Sequence, residues 1–178
     1  MLALSTDAFS GVYLNGFIKE ATFTERLRVM ILIPFTSSFM ACIGFLLGGV
    51  ITSLLSEFSI TLTVGLIFII GLKFILKSFK PKFQEMTYEL TQLKTLIGFS
   101  FALGINAFLL GLALPLFEVG IINILIVFAI VFIIVTSLAM FFGKRSNRFI
   151  VASRLILIGG FFISGSAVYY IIEYFNFI

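Results

Sequence analysis

One acidic residue, Asp7, lies inside an apolar segment in the first half of the chain. The stretch around it, ALSTDAF, returns in the second half as ALGINAF, with Asn106 in the place of Asp7. A charge at the centre of a bilayer costs about 2.5 to 3.5 kcal/mol, so intramembrane acids are usually retained for a function. Carboxylate and amide oxygens suit hard divalent cations, which take about six oxygen ligands. The pattern therefore predicts that Asp7 and Asn106 bind a metal ion.

Both residues also have simpler interpretations. Asn106 lies near the middle of its apolar segment, where a hydrogen bond to another helix would satisfy its amide. Asp7 could instead be an interfacial acid close to the outer surface of the membrane. The chain has no His and a single cysteine, Cys42, which disfavours a zinc or copper site and excludes a disulfide within one chain.

Hydroxyl side chains form a second group of candidate substrate-binding residues, in the second and fifth apolar segments: Thr36, Ser37, Ser38, Thr136 and Ser137. The alternative is that each hydroxyl bonds back to a carbonyl one turn earlier in its own helix, as most intramembrane hydroxyls do. Pro34 favours a binding role, because a proline inside a helix frees carbonyls that could complete a coordination shell.

The elements that position these residues follow from composition. The chain has 178 residues, of which 61% are hydrophobic and 11% charged, as expected for an integral membrane protein. Apolar segments close to the length that crosses a core of about 30 Å recur six times. They run approximately over Leu2 to Ile18, Val29 to Ile51, Phe58 to Leu76, Leu96 to Phe117, Gly120 to Phe142 and Leu155 to Phe175. We expect an all-α fold of six transmembrane helices forming one membrane domain over residues 1–178.

The basic residues predict the orientation, because Lys and Arg beside the spans are retained on the cytoplasmic side. All twelve lie in or beside the first, third and fifth connections: Lys19, Arg26, Arg28, Lys73, Lys77, Lys80, Lys82, Lys94, Lys144, Arg145, Arg148 and Arg154. Both termini should therefore lie outside a bacterial plasma membrane. The net charge of +4 is a topology signal with a weak affinity for anionic lipid, and it does not indicate nucleic acid.

Six spans divide into two halves of three, and since three is odd, a repeat of one half in the other must be inverted. We assign repeat one to residues 1–80, repeat two to 94–178, and a cytoplasmic loop to 80–94. Glycines support the division: GLIFIIG at Gly65 to Gly71 matches GGFFISG at Gly159 to Gly165. We expect Gly65, Gly71, Gly98, Gly104, Gly111, Gly159 and Gly165 to permit close helix packing. Inverted repeats are typical of secondary transporters with a midplane binding site.

The chain resembles the bacterial manganese efflux pumps of the lysine-exporter-like superfamily, which include a sporulation membrane protein branch. The resemblance covers nearly the whole chain and lies in LSTDAF (Leu4 to Phe9), Leu72-Lys73, LGINAF (Leu103 to Phe108), VTSLAMFFG (Val135 to Gly143) and RLILIGG (Arg154 to Gly160). It implies export of manganese from the cytoplasm, with Asp7 as the family's essential aspartate of span one.

The departures from the family are informative. The family normally has an aspartate where this chain has Asn106, and an amide can neither ionise nor carry a proton. A divalent ion facing Asp7 alone leaves a net charge of +1 in the core, so weaker binding or another substrate is consistent with the sequence. Phe45 also replaces a tryptophan typical of the family, and the long acidic central loop of many relatives is short here.

The sequence leaves three functions open. The first is export of a divalent cation, manganese, by antiport with protons bound in turn by Asp7. The second is export of a small amino acid or other zwitterion, and the third is a membrane scaffold that transports nothing. We expect no enzymatic activity and no resident cofactor, because the chain offers no nucleophile beside a base and no paired carboxylates. The expected partners are the lipid bilayer and the transported cation.

Overall fold

A computed structural model describes residues 2–14, 22–54, 59–79, 90, 92–117, 120–143 and 149–176. Six α-helices account for almost all of this part of the chain, so the predicted all-α fold is confirmed there. They are α1 (Leu2–Leu14), α2 (Phe23–Leu54), α3 (Ser59–Ser78), α4 (Leu93–Ala113), α5 (Ile121–Gly143) and α6 (Phe149–Asn176). A 3-10 turn over Leu114–Phe117 follows α4 directly. The predicted loop over 80–94 overlaps the start of α4, and its residues 80–89 lie outside the described part.

Four of these helices are long and apolar enough to cross a membrane: α2, α4, α5 and α6. Within the described residues α1 has 13 residues and so covers about 20 Å. Residues 15–18 of the predicted first span lie outside the described ranges. Four predicted spans thus coincide with helices of suitable length and apolarity, and the spans formed by α1 and α3 stay predictions.

The outer faces of the helices are apolar. Large hydrophobic side chains are exposed along α2, α5 and α6, among them Phe35, Phe39, Ile126, Ile130 and Phe161. A soluble protein rarely exposes so continuous an apolar surface. The fully buried interior contains aromatic and branched side chains such as Ile70, Phe74 and Phe128. This distribution suits a helical bundle surrounded by lipid.

Helix α2 begins six residues before the predicted span, and a capping box explains why. The backbone N–H and the hydroxyl of Thr22 donate to Glu25 Oε2 over 2.8 and 2.9 Å. The backbone N–H of Glu25 donates in return to Thr22 Oγ1 over 3.4 Å. These reciprocal bonds satisfy donors that a helix N-terminus otherwise leaves unpaired. The helix then continues without interruption through Pro34.

Helices α2 and α4 approach each other backbone to backbone. A Cβ added to Gly44 would collide with the carbonyl oxygen of Phe108, one added to Gly48 with that of Leu112, and one added to Gly111 with that of Ala41. Small residues permit this close contact. Since residue numbers rise together from Gly44 and Phe108 to Gly48 and Leu112, the two helices run parallel.

Two other contacts are antiparallel. On α3 and α6, Gly71 faces Ser164, and a Cβ added to Gly160 would lie 2.9 Å from the backbone nitrogen of Ile75. On α1 and α4, Gly11 packs against the ring of Phe99, while Asp7 meets Asn106 further along. These directions fit helices that cross the bilayer alternately.

The glycine prediction is right in part. Gly71, Gly104 and Gly111 lie against neighbouring helices, as expected. The prediction is wrong for Gly65, Gly98 and Gly165, because no described atom would lie within 4 Å of a Cβ added there. At these three glycines the space that a Cβ would fill holds no described atom, so the alignment of two GLIFIIG-like stretches does not by itself locate a packing face. Gly159 is buried.

Candidate functional site

Three helices bring one polar cluster together: α1 contributes Asp7, α4 contributes Asn106, and α3 contributes Lys73 and Lys77. Asp7 and Asn106 are 3% and 5% exposed, respectively. We call these four residues the Asp7 cluster. Its position between α1 and α4 explains why two residues far apart in the sequence share one environment.

The Asp7 cluster is a continuous chain of hydrogen bonds. Asn106 Nδ2 donates to Asp7 Oδ2 over 2.7 Å. Lys77 Nζ forms an ion pair with the other carboxylate oxygen, Asp7 Oδ1. Lys73 Nζ donates to Asn106 Oδ1 over 2.7 Å. Each carboxylate oxygen of Asp7 and each polar atom of the Asn106 amide thus has a partner, as buried polar atoms require.

Helix α3 can supply both ammonium groups because Lys73 and Lys77 are four residues apart. This spacing places two side chains one turn apart on the same helix face. Lys73, which lies one turn further from the end of α3, therefore reaches Asn106 on α4, whereas Lys77 reaches Asp7 on α1. Long lysine stems also allow a charged head to lie several ångströms from its own backbone.

Lys73 and Lys77 are orientation signals in the sequence, and Lys73 is also part of the family resemblance, but the sequence-based prediction missed their place in this cluster. A signal was available, because Lys73 lies within the predicted third span, and an ionisable residue inside a span is a functional candidate by default. Its spacing from Lys77 was a second signal. What the sequence could not indicate is that this face of α3 turns towards Asp7 and Asn106.

The charges of the Asp7 cluster do not balance. Two ammonium groups and one carboxylate give a net charge of +1 when all three are ionised. The described residues contain no group of three or more His, Cys, Asp or Glu side chains that could hold a metal ion. One side-chain oxygen of Asp7 and one of Asn106 are contacted by the lysines in this conformation.

Ser10 fixes the position of α1 one turn beyond Asp7. Its hydroxyl contacts the carbonyl oxygen of Thr6 over 2.7 Å and that of Ala152, on α6, over 3.2 Å. The second contact joins α1 to α6 in the buried interior. Because a helix is rigid over one turn, this contact also sets the direction in which Asp7 projects.

The predicted hydroxyl group divides into two classes. Thr36 bonds back to the carbonyls of Leu32 and Ile33 over 2.8 and 3.1 Å, and Ser137 to that of Ile133 over 2.7 Å. The simpler interpretation is confirmed for these two. Ser37, Ser38 and Thr136 are buried, and no hydrogen-bond partner for their hydroxyls lies among the described residues.

The structure does not bring Thr36 into the Asp7 cluster. Its hydroxyl also approaches the carbonyl oxygen of Ser100 at 3.4 Å. Ser100 precedes Asn106 by six residues, which is about 9 Å along α4. The hydroxyls of α2 therefore begin a separate polar layer, and a substrate-binding role for Ser37, Ser38 and Thr136 stays a prediction.

A sequence profile of the family described as "Putative manganese efflux pump" matches residues 20–169. The chain belongs to this family. The match includes Lys73, Lys77 and Asn106 and begins after Asp7. With four helices able to cross a bilayer, this member of the family is a multi-pass membrane protein.

Curated relatives agree with the profile. "Putative manganese efflux pump MntP 1" of Wolinella succinogenes is 28% identical over 147 residues, which are 83% of this chain and 80% of the relative. "Putative manganese efflux pump MntP" of Photorhabdus laumondii is 26% identical over 162 residues, 89% of this chain and 83% of the relative. "Putative manganese efflux pump MntP 2" of Clostridium botulinum is 26% identical over 171 residues, 89% of this chain and 84% of the relative. No solved structure matches the chain.

Proposed function

We propose that this protein is a secondary transporter that exports a divalent metal ion, manganese, from the cytoplasm. One observation carries the proposal: in a chain of the manganese efflux family, Asp7 is buried and hydrogen-bonded to Asn106 where α1 meets α4. An acid buried inside a membrane protein is costly, so such acids are usually retained for a function. Binding a transported cation is the task that its oxygens suit.

Asp7 and Asn106 would supply the first oxygen ligands. The two side chains already lie within 2.7 Å of each other, so one cation could contact both. Only Asp7 carries a negative charge, and a bound dication would keep a net +1 with it. We therefore expect weaker binding than at a site with two carboxylates, which would neutralise the ion.

Export requires an energy source. Moving a dication out against an inside-negative potential costs about 4.6 kcal/mol per 100 mV, twice the value for one elementary charge. The sequence contains no nucleotide-binding motif. We propose antiport with protons, in which Asp7 binds the metal ion and a proton in turn. Export that ignores an imposed pH gradient would contradict this coupling.

The helix contacts support the proposal of two inverted repeats. In such a repeat α1 corresponds to α4, α2 to α5, and α3 to α6. The α2–α4 contact then corresponds to an α5–α1 contact, and the α3–α4 contact to an α6–α1 contact. All four of these contacts occur. The contacts α1–α4, α2–α5 and α3–α6 occur too, and the same correspondence leaves each unchanged. Asp7 and Asn106 correspond to each other, which is the arrangement expected of a site at the repeat interface.

The proposed orientation places both termini outside the bacterial plasma membrane. The connections that follow α1, α3 and α5 carry or adjoin all twelve basic residues, and these belong on the cytoplasmic side. Metal would then enter the Asp7 cluster from the lysine-rich side and leave on the opposite side.

Export of a small amino acid or other zwitterion is the second candidate, and the Asp7 cluster gives a reason for it. Asp7 already pairs with one ammonium group, that of Lys77. The ammonium group of a zwitterion could displace Lys77 from Asp7, and the carboxylate of the same zwitterion could then pair with the displaced lysine. Such a substrate would leave the net charge of the cluster unchanged, whereas a dication raises it.

The first test is cellular manganese content in a manganese-sensitive bacterium that lacks its own efflux system. The strain would express the native chain, Asp7→Asn or an empty vector. Glu25→Gln is the matched control, because it makes the same acid-to-amide change at the exposed start of α2. We expect lower manganese with the native chain and with Glu25→Gln only, at equal surface expression. Equal manganese in all strains would contradict manganese export, and amino-acid efflux would then be measured.

A further inference from the structure

Lys73 and Lys77 occupy the oxygens that a transported cation would need. Lys77 Nζ contacts Asp7 Oδ1, and Lys73 Nζ contacts Asn106 Oδ1. The remaining carboxylate oxygen, Asp7 Oδ2, accepts the Asn106 amide. Each side-chain oxygen of the two proposed ligand residues is thus engaged by a donor of the protein itself.

We propose that Lys73 and Lys77 are tethered counter-cations, which hold the empty site and must be displaced before a metal ion binds. This inference rests on the proposed function, because it names the residues that set the affinity of the same site. Lysine ammonium groups thereby compete with the substrate. The protein tunes its affinity for divalent cations through α3 as well as through the ligands on α1 and α4.

Charge requires the displacement. With both lysines in place, a dication beside the buried Asp7 and Asn106 would raise the net charge of the Asp7 cluster from +1 to +3. Concentrating charge of one sign away from water is strongly unfavourable. If the ammonium groups withdraw, Asp7 and the dication together keep only +1. Metal binding and lysine withdrawal are therefore coupled.

The two lysines can withdraw without disturbing the packed interior. Lys77 precedes the last residue of α3, and its side chain is 36% exposed, against 3% for Asp7. Lys73, one turn earlier on α3, is also exposed. Lysines near a helix end extend their stems so that the ammonium reaches the membrane interface. Such a movement needs side-chain rotation only.

The two lysines should contribute unequally. Lys77 pairs with a charged carboxylate, whereas Lys73 donates to a neutral amide. Both contacts have an ionised donor, but only Lys77 also gains the Coulomb attraction of an opposite full charge. Removing Lys77 should therefore raise the metal affinity more than removing Lys73.

The test is a calorimetric titration with Mn²⁺ of the purified full chain in lipid nanodiscs. The variants are Lys77→Met and Lys73→Met, which keep an unbranched stem without the charge. Lys94→Met is the matched control, since Lys94 is exposed in the first turn of α4. Lys77→Arg restores a cation at the same position, and Asp7→Asn removes the ligand. Elution volume and thermal unfolding verify that each variant is folded.

We expect Lys77→Met to bind Mn²⁺ roughly tenfold more tightly than the native chain, and Lys73→Met about threefold more tightly. Lys94→Met and Lys77→Arg should bind like the native chain. Binding by Lys77→Met that equals or falls below the native value would overturn the inference while leaving metal export in place, provided that Asp7→Asn abolishes binding.

Two other outcomes separate the inference from the function. If Lys77→Met binds Mn²⁺ and the native chain does not, the lysines do compete, and manganese export by the native chain is contradicted. If neither the native chain nor any lysine variant binds Mn²⁺, both proposals are overturned.

Discussion

Asn106 and Asp7, 99 positions apart in the chain, are joined by a hydrogen bond of 2.7 Å from Nδ2 to Oδ2. The bond uses the amide as a donor to the carboxylate. A metal ion that contacts both residues would instead use the amide oxygen, which Lys73 contacts. Under the proposed metal binding, the amide, the carboxylate and both lysines would therefore change partners together.

Asn106→Asp should strengthen metal binding. A second carboxylate changes the net charge of the Asp7 cluster from +1 to 0, and two neighbouring carboxylates favour a bound cation. We expect Mn²⁺ affinity in nanodiscs to rise by roughly tenfold or more. Asn123→Asp, near the start of α5, is the control for an added acid at an exposed position. Weaker binding by Asn106→Asp would mean that the amide donor itself is required.

Gly44→Ala should destabilise the protein. The added methyl group would collide with the carbonyl oxygen of Phe108 on α4, so the two helices must separate. Overpacking of this kind costs about 1 to 3 kcal/mol. Gly49→Ala is the control, because no described atom would lie within 4 Å of its Cβ and Ala is the better helix former. Thermal unfolding in detergent measures both, and equal midpoints would contradict the close α2–α4 contact.

Thr136→Val tests the buried hydroxyl on α5. Thr136 is 0% exposed, and its hydroxyl has no partner among the described residues. Replacing such a hydroxyl by a methyl removes a desolvation cost of about 1 to 3 kcal/mol, so the unfolding free energy should stay equal or rise. If the hydroxyl binds the substrate, metal export should nevertheless fall severalfold.

The control for this substitution is Ser137→Ala, because the Ser137 hydroxyl already bonds to the carbonyl of Ile133. Export by Ser137→Ala should equal that of the native chain when Mn²⁺ efflux from vesicles is measured for both variants. Native export by Thr136→Val together with higher stability would exclude the hydroxyl from the transport path.

The proposed orientation can be tested by labelling cysteines with an impermeant thiol reagent in a Cys42→Ala background. Cysteines introduced at Lys80 and Ser146 should be shielded in intact cells, because these connections carry basic residues that remain cytoplasmic. A cysteine at Ser56 should be labelled. The opposite labelling pattern would show that the protein has the inverted orientation, and this would contradict the proposed direction of transport.

The sequence was sufficient for much of the fold because solvent determines it. Long apolar segments in lipid must form helices, since each backbone polar group needs an internal partner. The predicted spans consequently agree with the helices over most of their length. The start of α2 differs because local hydrogen bonds between Thr22 and Glu25 extend the helix beyond its apolar region. That extension is also a local feature, visible as a threonine three residues before a glutamate.

The pairing of Asp7 with Asn106 was within reach of the sequence, because the repeated ALSTDAF and ALGINAF stretches predict equivalent places in two halves. The contacts of Lys73 and Lys77 with that pair could not be predicted from the sequence, because they depend on how α3 is rotated about its axis. Rotation is decided by packing, such as Gly71 against Ser164 and Gly160 against Ile75.

The sequence by itself thus determined the class of protein, most of the helix bounds and the two residues at the centre of the Asp7 cluster. Only the tertiary structure decided that Lys73 and Lys77 contact those residues, that Thr36 and Ser137 bond to their own helices, and that no described atom lies where a Cβ on Gly65 would point. The physical reason is that hydropathy and local hydrogen bonds act along the chain, whereas the direction in which a side chain points is fixed by contacts between helices distant in sequence.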